Sequence, residues 1–168
     1  MEKKTATRTT RTAVMIAAAM LLAILGVAWT MRTGDAGSVT ANPLLPTATF
    51  TIGSPPMTTL LDLEVARTPE EQERGLMARD AVGSQGMAFP WTGRRAGFWM
   101  HGTRIPLDIV YVGPDGRVES VHRGEPFDAA TLPSRGAVSL VIEVPAGRAR
   151  LYGLKPGAIV RSPPGILR

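Results

Sequence analysis

The fold is decided at residues 98–112, which read FWMHGTRIPLDIVYV and lead into a Gly-Pro-Asp-Gly segment at 113–116. Two aromatic side chains and a methionine lie together at the start of this stretch. Its second half, from Leu107 to Val112, predicts a β-strand. The segment after it predicts a three-residue hairpin loop, because proline and glycine occupy the positions that a type I turn with a glycine bulge requires.

Two registers are open for this hairpin. In the favoured one Val112 faces Val118 and Asp108 faces His122, because Gly116 then stands where the bulge needs glycine. A slip of one residue would place Leu107 opposite His122 instead. The register matters because it decides which polar side chains meet across the two strands.

Other short segments have strand patterns and are separated by turn residues. In 61–65 the apolar residues alternate with Asp62 and Glu64, which predicts a half-buried strand with both carboxylates on the exposed face. At Pro90 the proline is expected to end its strand. The predicted strands are residues 47–52, 61–65, 86–90, 107–112, 138–144 and 158–160. Many short strands indicate a mainly β protein, a compact antiparallel β-sandwich or small barrel.

One short helix is predicted after the second strand. Thr68 is a typical N-cap, Pro69 suits the first helical position, and Glu71 completes a capping box. Gly75 can adopt the left-handed conformation that ends a helix. The helix should therefore be about two turns long at most.

The chain divides into five segments by composition. Residues 1–12 form a basic leader, and 13–31 are uncharged and apolar over roughly 28 Å if helical, close to the thickness of a bilayer core. Residues 32–46 are rich in glycine and proline, as in a linker. Residues 47–162 form the predicted β domain, and 163–168 form a tail.

The apolar segment predicts export of the domain by one of two routes. As a transmembrane anchor it would leave the N-terminus in the cytoplasm, because the basic residues precede it, and Trp29 would lie at the far interface. As a signal peptide it would be cleaved near residues 26–28, and the domain would be secreted or periplasmic. The anchor is favoured because the apolar run is longer than an ordinary signal sequence.

Charge and composition restrict the functional classes. Residues 1–32 contain five basic residues and one acidic residue, whereas the remainder contains 14 basic and 13 acidic residues. Since the basic excess lies in the leader, the domain is not expected to bind nucleic acid. The chain has no cysteine, so it has no disulfide, thiolate zinc site or thiol nucleophile. It is expected to be monomeric, and no cofactor is predicted.

Two constellations are candidates for chemistry. His101, His122 and Asp108 are the residue types of a two-histidine, one-carboxylate metal site, although their spacing favours no metal. Asp108 and Glu143 lie within apolar strands, and two carboxylates in one cleft can act as acid and base. The commoner alternative is that each accepts structural hydrogen bonds.

Aromatic residues suggest where a ligand would bind. Adjacent strand residues point to opposite faces, so Phe98 and Met100 share one side and are expected in the core. Trp99 takes the other side, where core packing and the lining of a ligand cleft are both open. Asp108 is expected to face the side of Val110 and to anchor the loop of Trp99 through donors nearby in sequence or across the hairpin. These expected donors are Thr103, the 102–104 amides, Arg79 and His122.

The order and spacing of five blocks resemble the DUF192 (UPF0127) family. They are residues 65–79, 86–89, 98–108, 142–143 and 146–147, and the resemblance covers about residues 47–162. It implies a compact, mostly β domain of sandwich-like shape with one short helix, often exported by bacteria and archaea, without an established activity. The family usually has Lys-Asn where this chain has His-Gly at 101–102, and many members have cysteines in the loop matching 125–136.

Two functions from different classes are left. The first is a membrane-tethered binding or accessory module for a small polar ligand, a glycan or an envelope protein. The second is a hydrolase-like enzyme that uses Asp108 and Glu143. The absence of nucleophile motifs favours binding. The candidate cleft or loop-anchoring residues are Arg79, Trp99, Met100, Thr103, Asp108 and Glu143.

Overall fold

The computed structural model describes residues 40–167, which form nine β-strands and two short helices. The predicted transmembrane or signal segment at 13–31 lies outside the described residues. Within 40–167, no helix is long and apolar enough to span a membrane. The elements are β1 (Thr47–Ser54), β2 (Met57–Val65), α1 (Pro69–Arg74), β3 (Met87–Arg94), β4 (Gly97–Phe98), β5 (Leu107–Val112), β6 (Val118–Gly124), β7 (Leu132–Pro133), β8 (Val138–Pro145), α2 (Arg148–Leu151) and β9 (Val160–Arg161).

Seven of the strands form one curled, half-barrel sheet in the order β6-β5-β8-β3-β2-β1-β9, and β4 pairs with β7 beside it. The curl brings the two ends of the sheet together. The amide of Val118 donates to the carbonyl of Ala158 at 2.8 Å, and the amide of Val160 donates to the carbonyl of Gly116 at 2.8 Å. The prediction of a mainly β fold is confirmed, with a single curled sheet in place of a two-sheet sandwich.

Two further details correct the expected architecture. The sheet is not wholly antiparallel, because β2 and β3 run parallel, with α1 and the segment after it as their connection. A second helix, α2, follows β8 and has no side-chain cap on its own N-cap residue, Gly147. The capping signals that identified α1 are therefore missing from the local sequence at α2.

Both faces of the sheet are covered, and each has its own apolar cluster. Val110, Ile142 and Val144 belong to the cluster on one face, with side chains from β1, β2 and β9. Ile109 and Val141 belong to the cluster on the other face, with Leu76, Phe89, Met100 and Tyr111. All six residues of β5 are buried for this reason.

Helix α1 forms as its sequence predicts. The Thr68 side chain accepts from the amide of Glu71 at 3.1 Å, and the Glu71 carboxylate accepts from the amide of Thr68 at 3.0 Å. Pro69 is the first helical residue, and Gly75 follows the helix with a positive φ of 46°. Hydrogen bonds that the Glu71 carboxylate accepts from the amides of Thr68 and Arg67 lower the pKa of this carboxyl below its ordinary value.

The β5–β6 hairpin has the predicted turn but neither predicted register beyond it. Gly113 and Arg117 are hydrogen-bonded across the turn, and Val112 faces Val118. Between Val112 and Tyr111, moving away from the turn, the register shifts and β6 has one extra residue. Ile109 therefore faces His122, and Asp108 faces Arg123. A β-bulge of this kind inserts one residue and shifts all later pairs by one position.

Strand β3 also departs from the prediction, because it continues through Pro90 to Arg94. Pro90 pairs with Leu140 of β8, and the register shifts between Pro90 and Arg94. Proline cannot donate a hydrogen bond to the neighbouring strand, and a strand can accommodate it at such an irregularity. The continuation brings Trp91 over the face of the sheet that holds Phe89.

The segments predicted as linker and tail pack onto the domain where they are described. Asn42 and Leu45 are buried, and the carbonyl of Pro46 accepts from the amide of Val65 at 3.0 Å. At the other end Ile166 is 4% exposed. The folded unit therefore begins before β1 and extends beyond β9.

A cavity with a buried carboxyl as the candidate site

A cavity of about 290 Å³ opens between the end of α1 and the segment containing Trp99. Its walls are mostly apolar and aromatic, and its polar groups are few. This composition and size are typical of small-molecule pockets. The lining residues come from α1, the segment after it, β3, β4, the loop at 99–103 and β8: Pro69, Gln72, Glu73, Arg74, Gly75, Leu76, Met77, Phe89, Trp91, Gly97, Phe98, Trp99, Thr103 and Glu143.

Glu143 is the acidic residue inside the cavity. It lies on β8 opposite Met87 of β3 and Ile109 of β5, on the sheet face that Val141 also occupies. The residue is 5% exposed, and among the described residues no group forms a hydrogen bond or ion pair with its carboxyl. Burial raises the pKa of Glu143 from 4.5 to about 8, because the charged form loses hydration without gaining a partner.

Gly75 leaves the Glu143 carboxyl uncovered. A Cβ at this position would lie 3.4 Å from the Phe89 ring and 3.7 Å from Oε2 of Glu143. Its positive φ also strains any L side chain. The residue that ends α1 therefore keeps space above the carboxyl.

Aromatic rings form the adjoining walls. Phe98 packs edge-to-face on Phe89 with ring centroids 5.0 Å apart, and on Tyr111 at 6.1 Å. Trp91 lies against Phe98 at 5.8 Å, and its buried Nε1 has no hydrogen-bond partner among the described residues. Trp99 is 51% exposed, so it stands at the mouth of the cavity and not in its floor.

The mouth is flanked by charged residues of α1. Glu73 and Arg74 are exposed there, and no ion pair of either is present within residues 40–167. A groove continues from the mouth past Trp99 to Glu70 and His101. Polar groups at the outer end of a bound ligand would therefore contact water, the negative charge of Glu73 and the positive charge of Arg74.

Backbone hydrogen bonds hold the loop that contains Trp99. The amide of Met100 donates to the carbonyl of Asp128 at 2.9 Å, and the amide of Phe127 donates to the carbonyl of Thr103 at 3.0 Å. On the other side the amide of Ala78 donates to the carbonyl of Gly102 at 2.8 Å. The loop is thus fixed between the 125–128 segment and the chain after α1.

Three of the six residues proposed for the site from the sequence line the cavity: Trp99, Thr103 and Glu143. Met100 does not reach it and is fully buried in the core, with its thioether close to Gly124. Arg79 and Asp108 lie elsewhere, each in a network of its own.

Arg79 forms a buried ion pair with Glu64. Its guanidinium donates to Oε1 of Glu64 at 2.6 Å and to Oε2 at 2.9 Å. It also donates to the carbonyl of Pro43 at 2.8 Å, while Oε2 of Glu64 accepts from the amide of Leu45. The prediction that Glu64 is exposed is wrong, since the segment before β1 covers it at 1% exposure. The pair ties that segment to the sheet.

Asp108 faces the side of Val110, as predicted, but it anchors a different element. Its Oδ2 accepts from the amides of Gly147 and Ala149 at 2.7 and 3.1 Å, and Arg123 lies 3.7 Å from Oδ1. The expected donors at 102–104, Arg79 and His122 do not reach it. A carboxylate from β5 thus caps α2, which lacks a cap of its own.

We expect Asp108→Asn to lower the free energy of unfolding by roughly 1.5–3 kcal/mol, because it removes the charge from two hydrogen bonds to backbone amides. Asp108→Ala should cost more, since both amides lose their acceptor. Urea unfolding of the two variants measures this, with Asp80→Asn as the control, because Asp80 is exposed and, within residues 40–167, is paired only with the exposed Arg104. Variants of Asp108 that unfold like Asp80→Asn would disprove the capping role.

The two carboxylates proposed as an acid–base pair point to opposite faces of the sheet. Asp108 pairs with Val144, and Glu143 pairs with Ile109, so the two side chains alternate across adjacent strands. They do not share a cleft. The residues considered as a metal site, and not favoured as one, are also dispersed, because His122 contacts Ser120 and the Tyr111 ring while His101 lies by Trp99. Within residues 40–167 no group of three potential ligands is close enough to hold a metal.

Sequence reasoning missed the walls contributed by β3. Phe89 and Trp91 lie two residues apart, and Met87 precedes them at the same spacing, so the alternation puts all three on one face. That signal was present but was hidden by the expectation that Pro90 ends the strand. Arg74 at the rim had no signal beyond its place in the last turn of α1.

The fold defines a small, mainly β domain with a cavity beside α1, and its similarity to known proteins identifies the family. Residues 51–162 match the model of DUF192, described as "Uncharacterized ACR", and the chain belongs to this family. A crystal structure of a protein of unknown function from Novosphingobium aromaticivorans is 36% identical, with a TM-score of 0.65 over 76% of this chain and 94% of that one. A "putative transcription regulator" from Sinorhizobium meliloti is 28% identical, with a TM-score of 0.66 over 73% and 98%. Among curated proteins none matches.

Proposed function

We propose that the domain is a binding module that holds a small molecule in the cavity above Glu143. The observation that carries this proposal is the buried carboxyl without a partner on a mostly apolar and aromatic wall. A buried polar group without a partner costs free energy, and such groups concentrate at functional sites. A ligand that bonds to Glu143 would offset this cost.

The dimensions of the site favour a small molecule over a glycan chain or an envelope protein. About 290 Å³ is enough for a compact ligand, and Trp99 stands at its entrance. The hydrolase alternative has less support, because Asp108 is committed to α2 and faces away from the cavity. Binding is therefore the function that we propose.

We also propose that residues 13–31 tether this module to the membrane with the domain outside the cytoplasm. The support is the uncharged apolar run behind a basic leader. A periplasm-only reporter fused after Arg168 should be active, and an inactive reporter would reverse the topology. A mature N-terminus near Trp29 would replace the anchor with a cleaved signal peptide.

The binding proposal is tested with small aromatic fragments. Indole and phenol titrated into the full-length chain should shift the amide resonances of Gly75, Trp99 and Thr103. Trp99→Ala should weaken fragment binding, whereas Leu151→Ala should leave it unchanged, because Leu151 is an exposed apolar residue on α2 that does not line the cavity. Shifts that avoid the cavity, or equal binding by Trp99→Ala, would reject the proposal.

A further inference from the structure

The chemistry around Glu143 restricts the ligand further. Glu143 is 5% exposed and lacks both a cationic partner and a hydrogen-bond donor within the described part of the chain. Buried charges in proteins are normally paired. The ionised form of this carboxyl therefore needs a cation or a donor from outside residues 40–167.

Aromatic rings favour a cation over a neutral donor. Phe89, Trp91, Phe98 and Trp99 all line the same cavity as Glu143. Ring faces attract ammonium groups, most strongly for tryptophan, and sites for quaternary ammonium ligands are built from such rings. A cation is attracted both by the negative charge of the carboxylate and by the faces of the aromatic rings. A neutral ligand would gain only one of these two attractions.

We infer that the cavity binds a small organic ammonium cation, with its charged nitrogen against the Glu143 carboxylate and within the aromatic walls. This inference rests on the proposed function, because it names the class of ligand for the same cavity. Arg74 and Glu73 lie at the mouth, so they meet the outer end of the ligand and not its nitrogen. When the cation enters, Glu143 releases its proton to solvent, and the two charges pair.

If the carboxylate of Glu143 binds the cation, affinity should increase with pH. Burial raises the pKa of Glu143 to about 8 in the empty cavity, so the carboxyl is mostly protonated at pH 6. Tyr111 of β5 interacts electrostatically with Glu143 and with Glu119 of β6. Burial raises the pKa of Tyr111 as well, so Tyr111 stays neutral over this range. Glu73 and Arg74 of α1 are exposed at the rim. Affinity for a permanent cation should therefore rise about fiftyfold from pH 6 to pH 8.

The test compares choline with its neutral isostere, 3,3-dimethylbutan-1-ol, by isothermal titration calorimetry. It uses the full-length chain in an uncharged maltoside detergent. At pH 8 choline should bind about tenfold more tightly than 3,3-dimethylbutan-1-ol, or better. Choline should also bind more tightly at pH 8 than at pH 6. Equal affinities for the two molecules, or affinity for choline that is the same at both pH values, would overturn the inference.

Variants assign the effect to this cavity. Glu143→Gln keeps the shape of the side chain and removes its charge, so it should abolish the preference for choline and its pH dependence. Glu119→Gln changes a residue on β6 outside the cavity and should leave both intact, although Oε2 of Glu119 is also buried without a hydrogen-bond partner among the described residues. Trp99→Ala should weaken choline binding about two- to fivefold. Choline bound equally by Glu143→Gln would overturn the inference, provided that the variant melts no lower than the wild-type chain.

Failure of the inference is separable from failure of the proposed function. If indole and phenol bind in the cavity and choline does not, the binding module stands and the cationic ligand is rejected. If no fragment and no cation binds there, both are rejected. Because detergent partitioning is the same for wild-type and variant chains, their differences report on the cavity alone.

Discussion

Arg79→Met is expected to lower the free energy of unfolding by about 3–5 kcal/mol, because removal of one partner from a buried ion pair leaves the other charge uncompensated. Glu64 would retain only the amide of Leu45 as a donor. The substitution would also free the carbonyl of Pro43, which accepts from Arg79 at 2.8 Å. Residues 42–45 should therefore loosen first, and the amide of Leu45 should lose protection from hydrogen exchange.

Urea unfolding gives the magnitude, and a matched variant isolates burial as its cause. Arg104→Met removes the arginine of an exposed ion pair, in which Arg104 lies 3.0 Å from Asp80 and both side chains are half exposed or more. It should have a much smaller effect, because exposed pairs contribute little. The double variant Glu64→Gln with Arg79→Met should recover part of the loss, since no unpaired charge is left. Equal losses in Arg79→Met and Arg104→Met would show that the buried pair has no special role.

Features with local causes could be predicted from the sequence. The capping box of α1 lies within four residues, and the turn before Arg117 depends on the four residues at 113–116. Both formed as expected. The register of the same hairpin could not be predicted, because an extra residue in β6 is accommodated by neighbours in other parts of the chain. A local pattern does not contain that information.

The polar networks show the same distinction. Alternation places Glu64 on the face of Asp62, and this is correct for the strand. Only the tertiary structure shows that the segment before β1 covers Glu64 and leaves Asp62 exposed. The donors to Asp108 lie 39 and 41 residues further along the chain, so no nearby spacing could indicate them.

The cavity was predictable in part. Trp99, Thr103 and Glu143 were identified because they are aromatic or polar residues next to apolar strands, and the structure places all three around one space. Met100 and Asp108 belong to the same sequence blocks but face elsewhere. Sequence blocks bring residues close along the chain, whereas a site also requires that their side chains share a face.

The pH dependence of stability should reveal the cost of Glu143. Its pKa rises from 4.5 to about 8 on folding, so between these values the unfolded chain has released a proton that the folded domain retains. Stability therefore falls as pH increases through this window, and it levels off above the folded pKa. At about 1.4 kcal/mol per unit of pKa, the complete loss is on the order of 5 kcal/mol.

Glu143→Gln removes the ionisation that causes this loss while keeping the shape of the protonated side chain. Measured by urea unfolding of the ligand-free chain, the variant should match the wild type near pH 4 and be more stable near pH 8. From pH 5 to pH 8 the difference between the two should grow by about 3–4 kcal/mol. Leu151→Ala, which retains Glu143, should differ from the wild type by the same amount at every pH. If Glu143→Gln also differed by a constant amount, the carboxyl would be charged in the folded domain throughout, and a partner for it would have to exist within the protein.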